Sequence, residues 1–204
     1  DINFDRLPKA CAVKLNHGSG FNIFIRNKHA VKWEDVLLKL QRWIRFSYYN
    51  SHREWAYKQI IPRVLVEELL QDPAGTLPDD YKFHVFHGKV RLIQVHYDRF
   101  GEQRINLFDE NYRLVNVRYQ APPALTNTRP PRHLRAMIEI VERLAASFSY
   151  ARIDLYEHLE RIYFGEITHY PAAGIGVFDP PEFDRILGDL WLYSRPIPER
   201  YFTA

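Results

Sequence analysis

Two stretches of the chain repeat apolar residues at three- and four-residue intervals. Trp33, Val36, Leu37, Leu40 and Ile44 predict a helix over 33–47 with one buried stripe. Leu134, Met137, Ile138, Val141, Leu144, Ala145 and Phe148 predict a second. Elsewhere the apolar period is two. Cys11, Val13 and Leu15 share one face of a strand over 10–16, and Ala12, Lys14 and Asn16 the other. The loop Asn16-His17-Gly18-Ser19-Gly20 leads to a strand over 21–26, and 48–59 reads as an irregular or short helical link. Residues 60–67 read as a strand rich in β-branched residues, and Pro62 implies an edge position or a late strand start. Pro73, Gly75 and Pro78 break 71–78 into a loop. A hairpin follows, 81–86 and 89–97 joined by His87-Gly88, and then one or two strands over 104–119. Pro122, Pro123, Pro130 and Pro131 mark a long connection, and the chain closes with a short helix around 182–190. The β-α-β alternation of a parallel sheet is missing, so the class expected is α+β with mainly antiparallel sheets.

The most informative pattern lies at 152–156 and 161–168, two strands joined by a tight turn near Glu160. With the turn centred there, Asp154 faces Glu166 and Arg152 faces Thr168, all on one side of the ladder. Opposed Cβ atoms lie roughly 4.5–5.5 Å apart, and like charges there repel. Asp against Glu calls for a neutralising partner. A hard divalent cation, Mg²⁺ or Mn²⁺, suits paired carboxylates; Arg152 on a solvated sheet face is the plainer alternative. Gly165 and the run Pro171-Ala172-Ala173-Gly174-Ile175-Gly176 would let backbone approach a bound group, or form ordinary turns.

Composition narrows the classes. The 204 residues are 46% hydrophobic and 15% aromatic, enough for one domain or two small lobes. Lys and Arg number 28 against 25 acids, a formal charge of +3 without like-charged blocks. A single cysteine, Cys11, rules out an intrachain disulfide and a multi-cysteine zinc site, and makes a reducing cytoplasm the simplest compartment. No apolar run reaches the ~18 residues of a membrane span, and there is no secretory leader pattern.

Lys14, on the polar face of its strand before a two-glycine loop, suits phosphate oxygens, although the loop is not a Walker A sequence. Glu67 and Glu68 close a strand, where acids can hold ribose or adenine groups or simply face water. Asp80 and Lys82 share a face and can pair with each other, as surface charges usually do, or with a sugar and a phosphate. His84, His87 and His96 cluster on one hairpin without zinc-ligand spacing and are expected at the surface or half-buried. His17 and His169 flank the suspected phosphate loop and acidic pair. No catalytic nucleophile motif is present.

In this order, the segments Leu7-Pro8 … Ala12-Val13-Lys14-Leu15-Asn16-His17-Gly18-Ser19-Gly20, Val66-Glu67-Glu68, Asp80-Tyr81-Lys82-Phe83, Arg152-Ile153-Asp154-Leu155-Tyr156 and Tyr163-Phe164-Gly165-Glu166-Ile167-Thr168 resemble the ATP-grasp superfamily over nearly the whole chain. The match is best to its TupA-like branch, linked to teichuronopeptide and other surface-polysaccharide synthesis. The resemblance implies two small α+β lobes clamping a nucleotide, a 1–66 lobe with the glycine-rich lid and a 67–204 lobe with the metal site. It implies ATP and Mg²⁺ (or Mn²⁺) as cofactors. Lys14 would contact the α/β-phosphates under a lid of His17, Gly18, Ser19 and Gly20, with Val66, Glu67 and Glu68 at the adenine. Asp80 resembles a ribose-site acid, and Lys82 a residue reaching the triphosphate. Asp154 and Glu166 resemble the metal-bridging carboxylates. Thr168 stands where many relatives carry Asn, a better ligand, and Arg152 resembles the cation meeting the transferring phosphoryl group. The superfamily's usual N-terminal lobe is expected to be absent, since only six residues precede Leu7.

The activity implied is ATP-dependent ligation of a carboxylate to an amine through an acyl phosphate, in bacterial surface polysaccharide or peptide-polysaccharide biosynthesis. Three alternatives stay open: a kinase for a small acceptor, a non-catalytic nucleotide-binding module, and a nucleic-acid surface built on Tyr81, Phe83, Phe86, Lys89 and Arg91. The last is disfavoured by the small net charge.

Overall fold

The structure, a computed structural model, describes residues 3–98, 101–124, 129–193 and 195–202. The chain divides into two compact units, Asp1–Gly75 and Thr76–Ala204.

The first unit is a three-stranded antiparallel sheet. Strand β1 (Cys11–Leu15) lies between β2 (Asn22–Ile25) and β3 (Val64–Glu68). The edge strand starts two residues after Pro62, as a missing N–H requires. Cys11, Val13 and Leu15 pack against Ile25 and against Val36 and Leu40 of helix α1 (Trp33–Ile44). Glu34 and Asp35 in the first turn of α1 and Arg42 in its last suit the helix dipole. A short helix, α2 (Tyr48–His52), and a one-turn 3-10 helix, Trp55–Tyr57, link α1 to β3.

The second unit carries a six-stranded antiparallel sheet in the order β10-β9-β4-β5-β6-β7. Its strands are β4 (Asp80–Phe86), β5 (Lys89–Tyr97), β6 (Arg104–Phe108), β7 (Leu114–Val115), β9 (Tyr150–His158) and β10 (Arg161–Thr168). The short strands β8 (Arg118–Tyr119) and β11 (Phe178–Asp179) pair separately. The region 104–119 therefore holds three short strands, one more than its pattern implies.

The sheet has two different faces. On one, Tyr81, Phe83, Val85, Ile93, Val95, Ile153 and Leu155 bury Met137 and Val141 of helix α3 (Leu134–Leu144). Met137 and Val141 are fully enclosed, which contributes roughly 1.5–3 kcal/mol each. On the other, Leu92, Ile105 and Leu107 pack with Phe183 and Leu190 of helix α4 (Phe183–Tyr193). All of β4 is buried, so its alternate residues Asp80, Lys82 and His84 form a buried polar strip on this second face. Tyr81, Phe83 and Phe86 are buried as well, which removes the stacking rings of the nucleic-acid reading. Among the described residues no helix is long and apolar enough to cross a membrane.

Candidate functional site

Strands β9 and β10 turn through Leu159 and Glu160, both left-handed (φ 47° and 61°), the backbone of a two-residue hairpin turn. Centred between those residues, this turn pairs Phe164 with Leu155 and Tyr163 with Tyr156. A bulge at Gly165 then adds one residue, and the ladder resumes with Glu166 opposite Asp154 and Thr168 opposite Arg152. The pairs expected from a turn centred on Glu160 are present, but the turn lies half a residue earlier and the bulge restores the register. A Cβ on Gly165 would stand 3.0 Å from the Asp154 carbonyl oxygen and 3.0 Å from the Tyr156 ring. Any side chain there would make these neighbours give by a few tenths of an ångström.

The guanidinium of Arg152 gathers the acids. Its Nε donates to Asp154 Oδ1 at 2.7 Å, and its Nη2 to Asp154 Oδ2 at 2.8 Å. The same Nη2 donates to Glu166 Oε1 at 2.8 Å and to Thr168 Oγ1 at 3.0 Å. The Thr168 hydroxyl donates in turn to Glu166 Oε1 at 3.1 Å. Three oxygens from three residues thus converge on one nitrogen. Behind them, Lys82 Nζ bonds Asp154 Oδ2 and lies 2.8 Å from Asp80 Oδ2. Asp154 is 1% exposed, whereas the Glu166 side chain is 59% exposed, so the knot runs from the sheet interior to its surface. Burial alone would raise the pKa of Asp154, but Lys82 and Arg152 outweigh it and hold the carboxyl below its usual value. Burial works against charge on Arg152, and Asp154 and Glu166 reverse that.

Asp80 and Lys82 therefore form a buried pair, not the surface salt bridge that exposed strand charges imply. The histidines differ from expectation too. His84 and His96 are buried, and only His87 is exposed. His84 Nδ1 meets the Tyr150 hydroxyl at 3.0 Å and its Nε2 meets Gln94 Oε1 at 3.2 Å. Gln94 continues to His96, which meets Gln103 at 2.7 Å. Burial and the neighbouring Arg152 push His84 down to about 4, so its ring is neutral. Strand alternation placed His84 beside Lys82; nothing in residue spacing signalled Gln94, Tyr150 or Gln103.

In the first unit Lys14 bonds Glu67 Oε2, a diagonal neighbour on the same face, two residues along β3 from Leu65, which pairs with Lys14 in the ladder. His17 is buried, its Nε2 3.0 Å from the Trp43 carbonyl, so its side chain anchors the loop. A Cβ on Gly18 would come within 2.5 Å of the Phe21 ring and 2.8 Å of the Tyr48 ring, whereas Gly20 (φ 80°) and Ser19 face open space or solvent. Val66 is half-buried, and Glu67 and Glu68 are exposed at the end of β3. Lys14, the glycine turn and Val66 to Glu68 thus share the three-stranded sheet; Lys82, Asp80, Arg152, Asp154, Glu166 and Thr168 share one face of the six-stranded sheet.

Among the described residues no three His, Cys, Asp or Glu side chains gather as a self-sufficient metal site. The donor set at Arg152 is two carboxylates and an alcohol, all oxygen. It already surrounds a positive nitrogen at 2.8, 2.8 and 3.0 Å, and it fits a hard cation.

No curated protein and no solved structure matches the chain. The family model for TupA-like ATP-grasp proteins matches residues 1–192. The α+β architecture, the antiparallel sheets and this match agree, and the chain belongs to the TupA-like ATP-grasp family.

Proposed function

We propose that the protein is an ATP- and Mg²⁺-dependent carboxylate–amine ligase acting in bacterial surface polysaccharide or peptide-polysaccharide biosynthesis. The observation that carries the reading is the convergence of Asp154, Glu166 and Thr168 on Arg152, in a chain of ATP-grasp family. Both family membership and that donor set support nucleotide chemistry.

In the first step a substrate carboxylate oxygen attacks the γ-phosphorus of ATP. The P–O bond to ADP breaks, giving an acyl phosphate and ADP. In the second, an amine attacks the acyl carbon; inorganic phosphate leaves with the C–O bond pair, the nitrogen loses a proton, and an amide remains. Phosphoryl transfer of this kind needs charge neutralisation and alignment more than a protein nucleophile. A divalent ion held by Asp154, Glu166 and Thr168, completed by phosphate oxygens, would supply electrostatic stabilisation of the triphosphate. Arg152 would turn its guanidinium to the transferring phosphoryl oxygens. Lys82 would keep Asp154 ionised and aimed, and Asp80 would hold Lys82 and meet the ribose. Lys14 would donate to the α/β-phosphates, with the backbone of His17, Gly18, Ser19 and Gly20 above them. Val66, Glu67 and Glu68 would border the adenine.

The test is Glu166→Gln. The exposed side chain can change without loss of the fold, and ADP release in the presence of ATP, Mg²⁺ and a carboxylate–amine pair should fall at least ~100-fold, the loss typical of removing one electrostatic group. Normal ADP release by a folded variant would refute the assignment. Product analysis separates ligation, which consumes both acceptors, from phosphorylation of a single one.

A further inference from the structure

The six-stranded sheet ends differently at its two edges. Beyond β7 the chain's own residues 201 and 202 add to the edge: Val115 bridges Phe202, and the Asn116 N–H donates to the Tyr201 carbonyl at 2.6 Å. At the other end β10 has β9 as its one ladder partner among the described residues. Its outer rim carries Phe164, 56% exposed, and Ile167, 38% exposed. An open strand edge is a template for another strand, and natural sequences blunt it with charge, proline or a bulge. Ile162-Tyr163-Phe164 carries neither charge nor proline, and the bulge at Gly165 comes only after it.

The backbone fixes which groups face outward. In a two-residue hairpin the residues flanking the turn form a hydrogen-bonded pair, and such pairs alternate along the ladder. Arg161 and His158 flank this turn. The N–H and C=O of Arg161 and Tyr163 therefore point toward β9, and those of Ile162 and Phe164 point away from the sheet. Counted through the bulge, the side chains of Arg161, Tyr163 and Glu166 lie on the face of Asp154, and those of Ile162 and Phe164 on the other.

An antiparallel second copy matches both patterns in one register. Ile162 pairs with the partner's Phe164, Phe164 with the partner's Ile162, and Tyr163 meets the partner's Tyr163 on the two-fold axis. The outward N–H and C=O groups of 162 and 164 are then satisfied, and apolar side chains oppose apolar ones. The partner's Arg161 falls opposite the bulge, on the face of Glu166. Arg152 and Thr168 both bond Glu166 Oε1, which leaves Oε2 without a partner among the described residues. Arg161 likewise has no acid within ion-pair distance among the described residues.

We propose that the edge of β10 is a self-association surface, and that its occupant is β10 of a second copy of this chain, joined antiparallel about Tyr163 with the partner's Arg161 on Glu166. Any extended peptide could use the backbone groups. A second copy supplies the apolar pairs and the opposite charges together. Glu166 belongs to the knot on Arg152, so each copy adds a cation to the other's site.

Sedimentation equilibrium of the full chain across about 1 µM to 1 mM should show the mass rising from 24.3 kDa toward twice that value. Arg161→Glu sets like charges against each other and should weaken association at least ~10-fold. The register is read by oxidation of single-cysteine variants. Opposed residues of a non-hydrogen-bonded pair have Cα atoms about 4.5 Å apart, within reach of a disulfide. Tyr163→Cys should therefore form a covalent dimer. Ile167→Cys, equally on the rim but away from the axis, should not, and the wild type, whose Cys11 is buried, should stay uncrosslinked. Circular dichroism confirms that each variant is folded. A constant mass of one chain, undiminished association of Arg161→Glu, or cross-linking of Ile167→Cys as readily as Tyr163→Cys overturns the proposal.

Discussion

Arg152 grips Asp154 with two hydrogen bonds, Nε to Oδ1 at 2.7 Å and Nη2 to Oδ2 at 2.8 Å, and so stands where the proposed divalent ion would be held. The arginine and the ion would share the same oxygens. Loading the site therefore has to free the guanidinium, which is then available to phosphoryl oxygens. Removing the competitor should strengthen metal binding while weakening chemistry. Arg152→Gln is expected to bind Mn²⁺ about tenfold more tightly or better, equivalent to about 1.4 kcal/mol, and to lose ADP release. Titration followed by Mn²⁺ electron paramagnetic resonance reads the affinity without turnover. Weaker binding in the variant would show that the guanidinium helps hold the ion in place of competing with it.

The pairing of Asp154 with Glu166 was legible from strand alternation together with an assumed turn centre at Glu160. The route to that pairing was not. Leu159 and Glu160 take left-handed backbone without the Asn or Gly that marks such turns, so nothing in the sequence put the turn centre between them. The bulge at Gly165 then cancelled the offset. Burial was harder still. Asp80, Lys82 and His84 read as one face of a strand, and polar residues on a strand face normally imply water. Here β9 and β5 flank β4 on both sides and close that face with partners from other strands: Asp154 for Lys82, Gln94 for His84. The composition of a single segment carries no trace of such partners. The family resemblance spanned motifs on both sheets, and it is the part of the reading that the family match supports directly.

Lys82 is expected to matter for folding as much as for chemistry. It is the cation between Asp80 and Asp154, both about 1% exposed. Lys82→Met leaves two buried carboxylates facing each other, a loss of about 3 kcal/mol or more. Adding Asp80→Asn should recover part of that, since Asp154 retains Arg152. Urea denaturation of the single and double variants measures both. Equal stability of Lys82→Met and wild type would mean that the triad is solvated.

Buried His84 and half-buried Asp79 should shape the pH dependence of stability in opposite directions. His84 is pushed down to about 4 from 6.5 by burial and by Arg152. The unfolded chain takes up this proton near 6.5 and the folded protein only near 4. The contribution of His84 is therefore full above about pH 6.5 and is lost progressively as pH falls toward 4, a change on the order of 3 kcal/mol. Asp79 is raised to about 6 by burial. The folded protein takes up that proton first, so stability is gained as pH falls from about 6 toward the ordinary carboxylate range. Asp154, whose pKa is lowered, costs stability only below that window. His84→Gln should lose less stability than wild type between about pH 6.5 and 4.5, and Asp79→Asn more. Urea melts across that range decide; parallel curves for all three proteins would contradict the assignment.

Gly165 offers the sharpest link between backbone and site. A methyl group there would press on the Asp154 carbonyl at 3.0 Å, the Tyr156 ring at 3.0 Å and Asp154 Cβ at 3.4 Å. Relief requires these neighbours to give by a few tenths of an ångström beside Asp154, which shifts the oxygens that converge on Arg152. Overpacking of this size costs about 1 kcal/mol, little enough for the fold to survive. Gly165→Ala should therefore lower stability slightly and ADP release at least ~10-fold, with Mn²⁺ affinity falling in parallel, because a displaced carboxylate loses alignment faster than it loses burial. Gly188, inside α4 with nothing within 4 Å of an added Cβ, is the control. Gly188→Ala should stabilise the helix by about 0.5–1 kcal/mol and leave metal affinity alone. If Gly165→Ala keeps full Mn²⁺ affinity and full turnover, the bulge is a packing detail and the acids tolerate a looser register than the proposed chemistry demands.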